Sequence, residues 1–352
     1  MNSNKKTELL CIGNPLVDVF VEMDSSLARK YGIIEPVQHI DRKTAEAILR
    51  EPSINFEKAE KSSGGGAANV AKIAAMLGMK SAFSGCTGHD ELAGIFEEEI
   101  TNAGVCAMLV KSDEKTGLCF ACKIGGETRF AAAPGAALDL NETNVSVELI
   151  DSAEVVVLDG YILDRRSLVQ HILLIASHRG IPVALDVASI FQVKAKAEEI
   201  LTYSRNFPLF IFMNADEALA FNSTVRKSRD VETSLTEKEK EAIILRDICP
   251  MLKVITDGEL FPIVVVKLGG RGAVIVAGGN VFREETFTIT PRDTIGAGDA
   301  FCAAFVSAWI RGKSISECAA LGNKVAREIL EVPGTHIKSG KLKSFAKILN
   351  AQ

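Results

Sequence analysis

The 352-residue chain has no run of about 18 apolar residues free of charge, and a helix needs about 20 such residues to cross a bilayer. Nor does it carry an excess of basic residues. Forty lysines and arginines against 45 aspartates and glutamates leave a formal charge of −5, which argues against a broad nucleic-acid surface and leaves room only for a local basic pocket. The opening Met1-Asn2-Ser3-Asn4-Lys5-Lys6 is basic but runs directly into Glu8 and a short strand. A secretory signal would need an apolar segment and a small-residue cleavage site there. The expectation is a cytoplasmic protein with no membrane and no nucleic-acid partner.

Metal and disulfide frameworks are also missing. Six of the eight cysteines (Cys11, Cys86, Cys106, Cys249, Cys302 and Cys318) stand alone among apolar neighbours, as reduced core cysteines do. Cys119-Phe120-Ala121-Cys122 has CxxC spacing, but on a strand from Leu118 to Ile124 the two thiols face opposite sides. No second pair and no suitably spaced histidine supports zinc or redox use. Two familiar nucleotide motifs fail as well. Gly312-Lys313-Ser314 ends like a P-loop, but the first glycine of that motif would fall on Ser307, and the triplet follows a helix. Gly64-Gly65-Gly66-Ala67-Ala68-Asn69 has the glycines of a dinucleotide turn, but Asn69 replaces the final Gly or Ala. No βαβ unit with a placed acidic residue follows, which argues against a dehydrogenase.

What is present centres on Asp293-Thr294-Ile295-Gly296-Ala297-Gly298-Asp299, followed by the apolar Ala300 to Val306. Small residues let the backbone turn tightly and leave N–H groups uncovered. A helix beginning there adds free donors and a partial positive charge, a setting suited to phosphate. Asp299 beside that anion is placed to take a proton from an attacking hydroxyl, so the segment reads as phosphoryl transfer. The helix N-terminus also favours its ionised form.

The glycine run at 64–66 predicts close backbone approach to a ligand. Asn69, one turn into the helix expected from Ala67 to Leu77, offers an amide to hydroxyl groups. Asp18, in the alternating strand around Val17 to Val21, can accept from two neighbouring hydroxyls as on a ribose or hexose. Asn214-Ala215-Asp216-Glu217 follows a buried strand, the edge where open α/β sheets bind ligands. There it reads either as a helix cap or as a group organising water-coordinated magnesium. Lys267-Leu268-Gly269-Gly270-Arg271-Gly272 also follows a strand, and reads as a hairpin turn or a surface for a nucleotide.

Apolar strands at 155–158, 183–186, 209–213 and 263–267 alternate with helical segments, as in a parallel sheet covered on both faces. Gly125-Gly126 predicts a hairpin between strands 117–124 and 127–132. Arg226 to Glu241 is a charged insertion, with Thr236 and Glu239 spaced as a capping box. No chemistry is assigned to it.

Together, Gly64-Gly65-x-x-x-Asn69, Asn214-x-x-Glu217, Gly269-x-x-Gly272 and Asp293-Thr294-x-Gly296-Ala297-Gly298-Asp299 resemble, in order, the signatures of the ribokinase (pfkB) family of sugar and nucleoside kinases. The resemblance spans Ile12 to about His336. It implies an α/β fold, a doubly wound, mainly parallel sheet flanked by helices. The chain would be a single domain over 1–352, with a small β lid built discontinuously from about 15–42 and 105–135. It implies Asp299 as the base and the amides of Gly296, Ala297 and Gly298 as the anion hole. Asn214, Glu217, Lys267, Gly269, Gly272, Thr294 and Asn323 would serve ATP, with Glu217 reaching Mg2+ through water. A monovalent cation, K+, could use carbonyls near Asp293 and Gly334-Thr335.

Gly13-Asn14-Pro15-Leu16-Val17-Asp18, Tyr31-Gly32-Ile33, Gln38 and Thr116-Gly117-Leu118-Cys119-Phe120-Ala121-Cys122 resemble the adenosine kinase branch. This assigns the acceptor to Asn14, Asp18, Gln38, Gly64, Gly65 and Asn69, with Tyr161 and Phe191 as counterparts of the branch's purine-contacting aromatics. Gly66 departs from it, standing where a polar residue is common. The expected activity is ATP-dependent phosphorylation of a primary hydroxyl, the 5′-hydroxyl of adenosine. The alternatives are a kinase of ribose or fructose type and a non-catalytic nucleotide- or sugar-binding regulator. Monomer and homodimer both remain open.

Overall fold

Strands rich in valine and leucine bury both faces, and here they build a sheet with helices on each side. The computed structural model describes residues 7–228, 235–257, 260, 262–290, 295–331 and 339–350. Among them a nine-stranded sheet runs, edge to edge, through Asn280–Glu284, Ala273–Ala277, Ile263–Lys267, Leu209–Asn214, Val183–Asp186, Ala153–Asp159, Thr7–Ile12, Ser81–Thr87 and Cys106–Lys111. The seven strands from Ile263–Lys267 to Cys106–Lys111 are parallel, and the last two on the other edge form an antiparallel hairpin. Separate apolar layers cover the two faces, one around Leu9, Phe83, Val157 and Phe212, the other around Leu10, Ile12, Val156 and Ile211. Their alternation along each strand is the period-two rule applied to a doubly covered sheet.

A second sheet of five strands runs Val37–His39, Glu127–Ala133, Gly117–Ile124, Leu16–Glu22 and Lys61–Gly64. The Gly125-Gly126 turn closes its hairpin with both φ angles positive, 59° and 94°, as the tight primed turn demands. Its composition corrects the segments expected from sequence. Cys106–Lys111, inside the second segment, is the edge of the large sheet, whereas Lys61–Gly64, outside both, is the edge strand beside Leu16–Glu22. Lys61-Ser62-Ser63-Gly64 lacks the apolar alternation that marks a strand, so only its pairing reveals it.

Two helices set the position of the site. Gly66–Met76 and Ala297–Ile310 are rich in alanine and buried almost all round, and they pack against each other. Small side chains permit that closeness. Their N-termini meet at the carboxyl ends of the parallel strands.

Candidate active site

The polar residues at those strand ends face one cleft of about 660 Å³. Asp159 and Asp186 end neighbouring strands in register with each other, and Asn214 and Lys267 end the next two in register. Helix Ala297–Ile310 begins at Gly296, whose φ of 74° turns the chain into it. Ala297, Gly298 and Asp299 line the cleft. The Asp299 carboxylate accepts a hydrogen bond from Asn69 Nδ2 at 2.9 Å. This bond spans the two glycine turns, and Gly66 completes the junction, its missing Cβ falling 3.5 Å from Asp299 Oδ1. Asn69 Oδ1 is buried without a partner among the described residues, a costly arrangement unless it serves a ligand.

Asp299 does not behave as a helix N-terminal carboxylate. Burial and the nearby Asp186 raise its pKa to about 7, against the opposing pull of Asn69 and Lys267. The helix end alone would favour the ionised form, so the sequence expectation is reversed by desolvation. Lys267 lies between these groups. Its Nζ donates to Asp186 Oδ2 at 2.6 Å, and a Cβ on Gly298 would sit 3.1 Å from it. Burial works against its charge, but Asp186 and Glu217 outweigh it and the ammonium stays protonated. The glycine turn therefore has a fixed cation against its backbone.

Asn214 and Glu217 form the helix cap that was one of their two sequence readings. Glu217 N–H donates to Asn214 Oδ1 at 2.9 Å, and Asn214 N–H donates to Glu217 Oε2 at 2.7 Å. Both residues also line the cleft. Burial and Asp186 raise the Glu217 carboxyl to about 7. Gly269, Gly272 and Asn323 line the same end, and Asn323 Nδ2 points to Glu284 O at 3.5 Å. Among the described residues no group of three or more His, Cys, Asp or Glu is placed to hold a metal ion. A sparse donor set of Glu217 and Asp186 fits magnesium carried on a nucleotide through water, because Mg2+ keeps several waters and borrows phosphate oxygens. Thr294, Asp293 and Gly334-Thr335 lie outside the described residues.

On the other side, Asp18 pairs in register with Cys119 and Ser62 across the small sheet. The backbone of Gly64 lies so close to the Asp18 carboxylate that a Cβ would clash with it. Gly65 holds φ 99°, and a Cβ there would strike the carbonyl oxygen of Asn14. Burial raises Asp18 to about 7, while Lys72 and the Cys119 thiol act in the other direction. Cys119 is thus a partner of Asp18. The Asn14 side chain accepts from Arg165 Nη2 at 2.5 Å. Gln38 is committed to its own turn, donating to Gly32 O at 2.7 Å and accepting from the N–H groups of Ile34 and Glu35. Tyr161 lines the cleft and meets His39 of the small sheet at 5.4 Å between rings. Phe191 is 75% exposed, three residues beyond cleft-lining Ala188.

Several residues at this site had escaped notice in the sequence. Asp159 lines the cleft, and its buried carboxylate accepts from Tyr161 N–H at 3.1 Å, with the backbone N–H groups of Ala67 and Asn14 also favouring its charge. Lys72, one turn after Asn69, is buried and donates to Ser63 O at 2.5 Å and Ser63 Oγ at 3.0 Å. Glu99 accepts from Ser63 N–H at 2.5 Å, so the strand entering the glycine turn is gripped from two helices. Ala188 carries φ 68° without being glycine, local strain of the kind that gathers at ligand sites. The available signals were an acidic residue ending an apolar strand, and a lone lysine in an alanine-rich helix.

Comparison with known proteins gives a consistent picture. A model described as the pfkB family of carbohydrate kinases matches residues 29–341. The adenosine kinase of Schizophyllum commune is 26% identical over 353 residues, covering 95% of this chain and 98% of that protein. A probable sugar kinase from Rhizobium etli superposes with a TM-score of 0.81 at 25% identity, covering 98% of each chain. The adenosine kinase of Sinorhizobium meliloti superposes with a TM-score of 0.80 at 25% identity, covering 97% of this chain and 99% of that one. No helix among the described residues is long and apolar enough to cross a membrane.

Proposed function

We propose that this chain, which belongs to the pfkB family of carbohydrate kinases and is a phosphotransferase with an alcohol acceptor, phosphorylates the 5′-hydroxyl of adenosine with ATP. The observation that carries the reading is the Asn69–Asp299 hydrogen bond of 2.9 Å. It joins the glycine turn beside Asp18 to the turn suited to phosphate, so acceptor and donor elements meet at one carboxylate. Adenosine is favoured over a free sugar by the adenosine kinase-like segments around Asp18 and Cys119. Tyr161 in the cleft wall offers an aromatic face on which a purine can stack.

In this mechanism Asp18 and the free oxygen of Asn69 hold the ribose diol. That leaves the 5′-hydroxyl facing Asp299. The N–H groups at Gly296, Ala297 and Gly298, backed by Lys267, receive the phosphate oxygens. A bond forms between the acceptor oxygen and the γ-phosphorus as the bond to the β–γ bridging oxygen breaks, and Asp299 takes the hydroxyl proton. Positioning and charge stabilisation supply most of the acceleration, since a loose transition state needs little covalent assistance. Glu217 and Asp186 would hold magnesium through water, and the ion would neutralise charge on the phosphates. The small sheet is the lid that excludes competing water.

The test is an acceptor panel of adenosine, other nucleosides, ribose, fructose and fructose phosphates with ATP and magnesium, read as acceptor-dependent ADP. Adenosine should have the highest kcat/KM. A preference for ribose or fructose would replace this substrate by the sugar-kinase alternative, and absence of acceptor-dependent ADP would refute catalysis altogether. Asp18→Ala should raise the acceptor KM while sparing ATP; unchanged use of every acceptor would remove Asp18 from the diol site.

A further inference from the structure

The charged insertion that the sequence left without a role reaches both halves of the proposed donor site. Lys240 Nζ lies 2.8 Å from Asp216 Oδ1, in the first turn of the helix capped by Asn214. The next residue, Glu241, is buried although the turn before it is largely exposed. Its carboxylate accepts from Arg283 Nε at 2.7 Å and from Arg271 Nε. Arg271 belongs to the Gly269–Arg271 turn. Arg283 lies on the strand against whose end Gly272, at φ 90°, packs without room for a Cβ. Two consecutive side chains therefore tie Asn214–Glu217 to Gly269–Gly272.

The two guanidinium groups outweigh the burial of Glu241 and hold its carboxyl below the usual range, an ionic device where a purely structural one needs none. Burying a carboxylate between two guanidinium groups costs desolvation, and apolar packing would serve stability as well. Such ion pairs are better suited to fixing register. Immediately beyond, the helix widens into a π turn at Ile244–Ile248, a rare geometry that is frequent at functional sites. Arg226 Nη2 donates to Asp247 O within it at 3.1 Å.

We propose that Lys240 and Glu241 are positioning residues for the phosphoryl donor, holding the Asn214–Glu217 cap and the Gly269–Gly272 turn at the spacing one nucleotide requires. The proposal rests on reading those two segments as nucleotide-binding. By thermodynamic reciprocity, a clamp that prepares the site for nucleotide must itself be stabilised when nucleotide binds.

Hydrogen exchange on the full chain tests both levels, using magnesium-ADP in one arm and adenosine alone in the other. Magnesium-ADP should slow exchange in peptides covering 263–277 and 236–248, and adenosine should leave 236–248 unchanged. If ADP does not protect 263–277, the donor-site reading fails and the clamp with it. Protection of 263–277 without protection of 236–248 keeps the donor site and overturns the clamp. Glu241→Gln supplies a kinetic readout. Losing one charge-assisted contact should raise KM for ATP about tenfold while the acceptor KM stays within about twofold. An equal change in both, or in neither, would assign Glu241 to the fold alone.

Discussion

Replacing Asp299 with asparagine separates the two consequences of a buried carboxylate. The side chain keeps its size and can still accept from Asn69 Nδ2, at 2.9 Å in the wild type. As the proposed base it should lose about 10²–10⁴ in kcat. Its effect on stability should have the opposite sign. Burial and Asp186 raise the folded pKa from 3.8 to about 7. Below about pH 4 the group is protonated in both folded and unfolded states and contributes nothing. Between about 4 and 7 the folded protein holds a proton that the unfolded chain has lost, so stability falls as pH rises. Roughly three units at 1.36 kcal/mol each give a penalty on the order of 4 kcal/mol, complete above about pH 7.

Urea unfolding of the ligand-free protein between pH 5 and 9 measures this directly. The stability difference, Asp299→Asn minus wild type, should grow with pH up to about 7 and then level off. Asp18 and Glu217, also raised to about 7, titrate in both proteins and largely cancel in the difference. A difference independent of pH would refute the desolvation argument. Turnover close to wild type would refute the assignment of the base. The expected pattern, a more stable and far less active variant, is the trade seen where a functional group is held in an unfavourable place.

Two further substitutions, with Gly125→Ala as a control, test the parts around Asp18. Gly65→Ala should cost about 2–4 kcal/mol in urea unfolding, because φ is 99° and a Cβ meets the Asn14 carbonyl. Gly125→Ala, at φ 59° in open space, should cost only about 1 kcal/mol, and equal costs would dismiss the close-approach argument. Lys72→Met removes the cation set among Asp18, Glu99 and Asp299, so both proposed site carboxylates should titrate higher. The acidic limb of kcat/KM should move to higher pH, leaving activity more depressed at pH 7 than at pH 9. A uniform loss at all pH values would make Lys72 a packing residue.

How much of this was legible in the sequence depends on whether a feature is local. Gly296–Asp299 and Gly64–Asn69 announce themselves because small residues in succession are costly unless the backbone itself is used. The parallel strands are equally plain, since double burial leaves continuous apolar runs such as Val155 to Leu158. The edge of the small sheet at Lys61–Gly64 is hidden because its residues carry no strand pattern and owe their conformation to pairing with Leu16–Val19. The ionisation of Asp299 is hidden for a different reason. Its helix position is local, but the burial and Asp186 that outweigh it come from folding.

The same distinction explains why the insertion gave no sign of its contacts. Thr236 and Glu239 state a cap in the sequence, and the cap is there, with Thr236 accepting from Glu239 N–H. Glu241 stands two residues later with nothing to distinguish it from the exposed charges before it. What sets it apart is that Arg271 and Arg283 arrive from 30 and 42 residues away. A charge run usually marks a solvated face, and most of this one does. Among its described residues the exception is the carboxylate of Glu241, which the fold removes from water, so that the cost of desolvation must be offset by its partners. Buried charges that pattern alone would leave on the surface, Glu241 and Lys72 among them, are accordingly where the structure adds most to the reading of this active site.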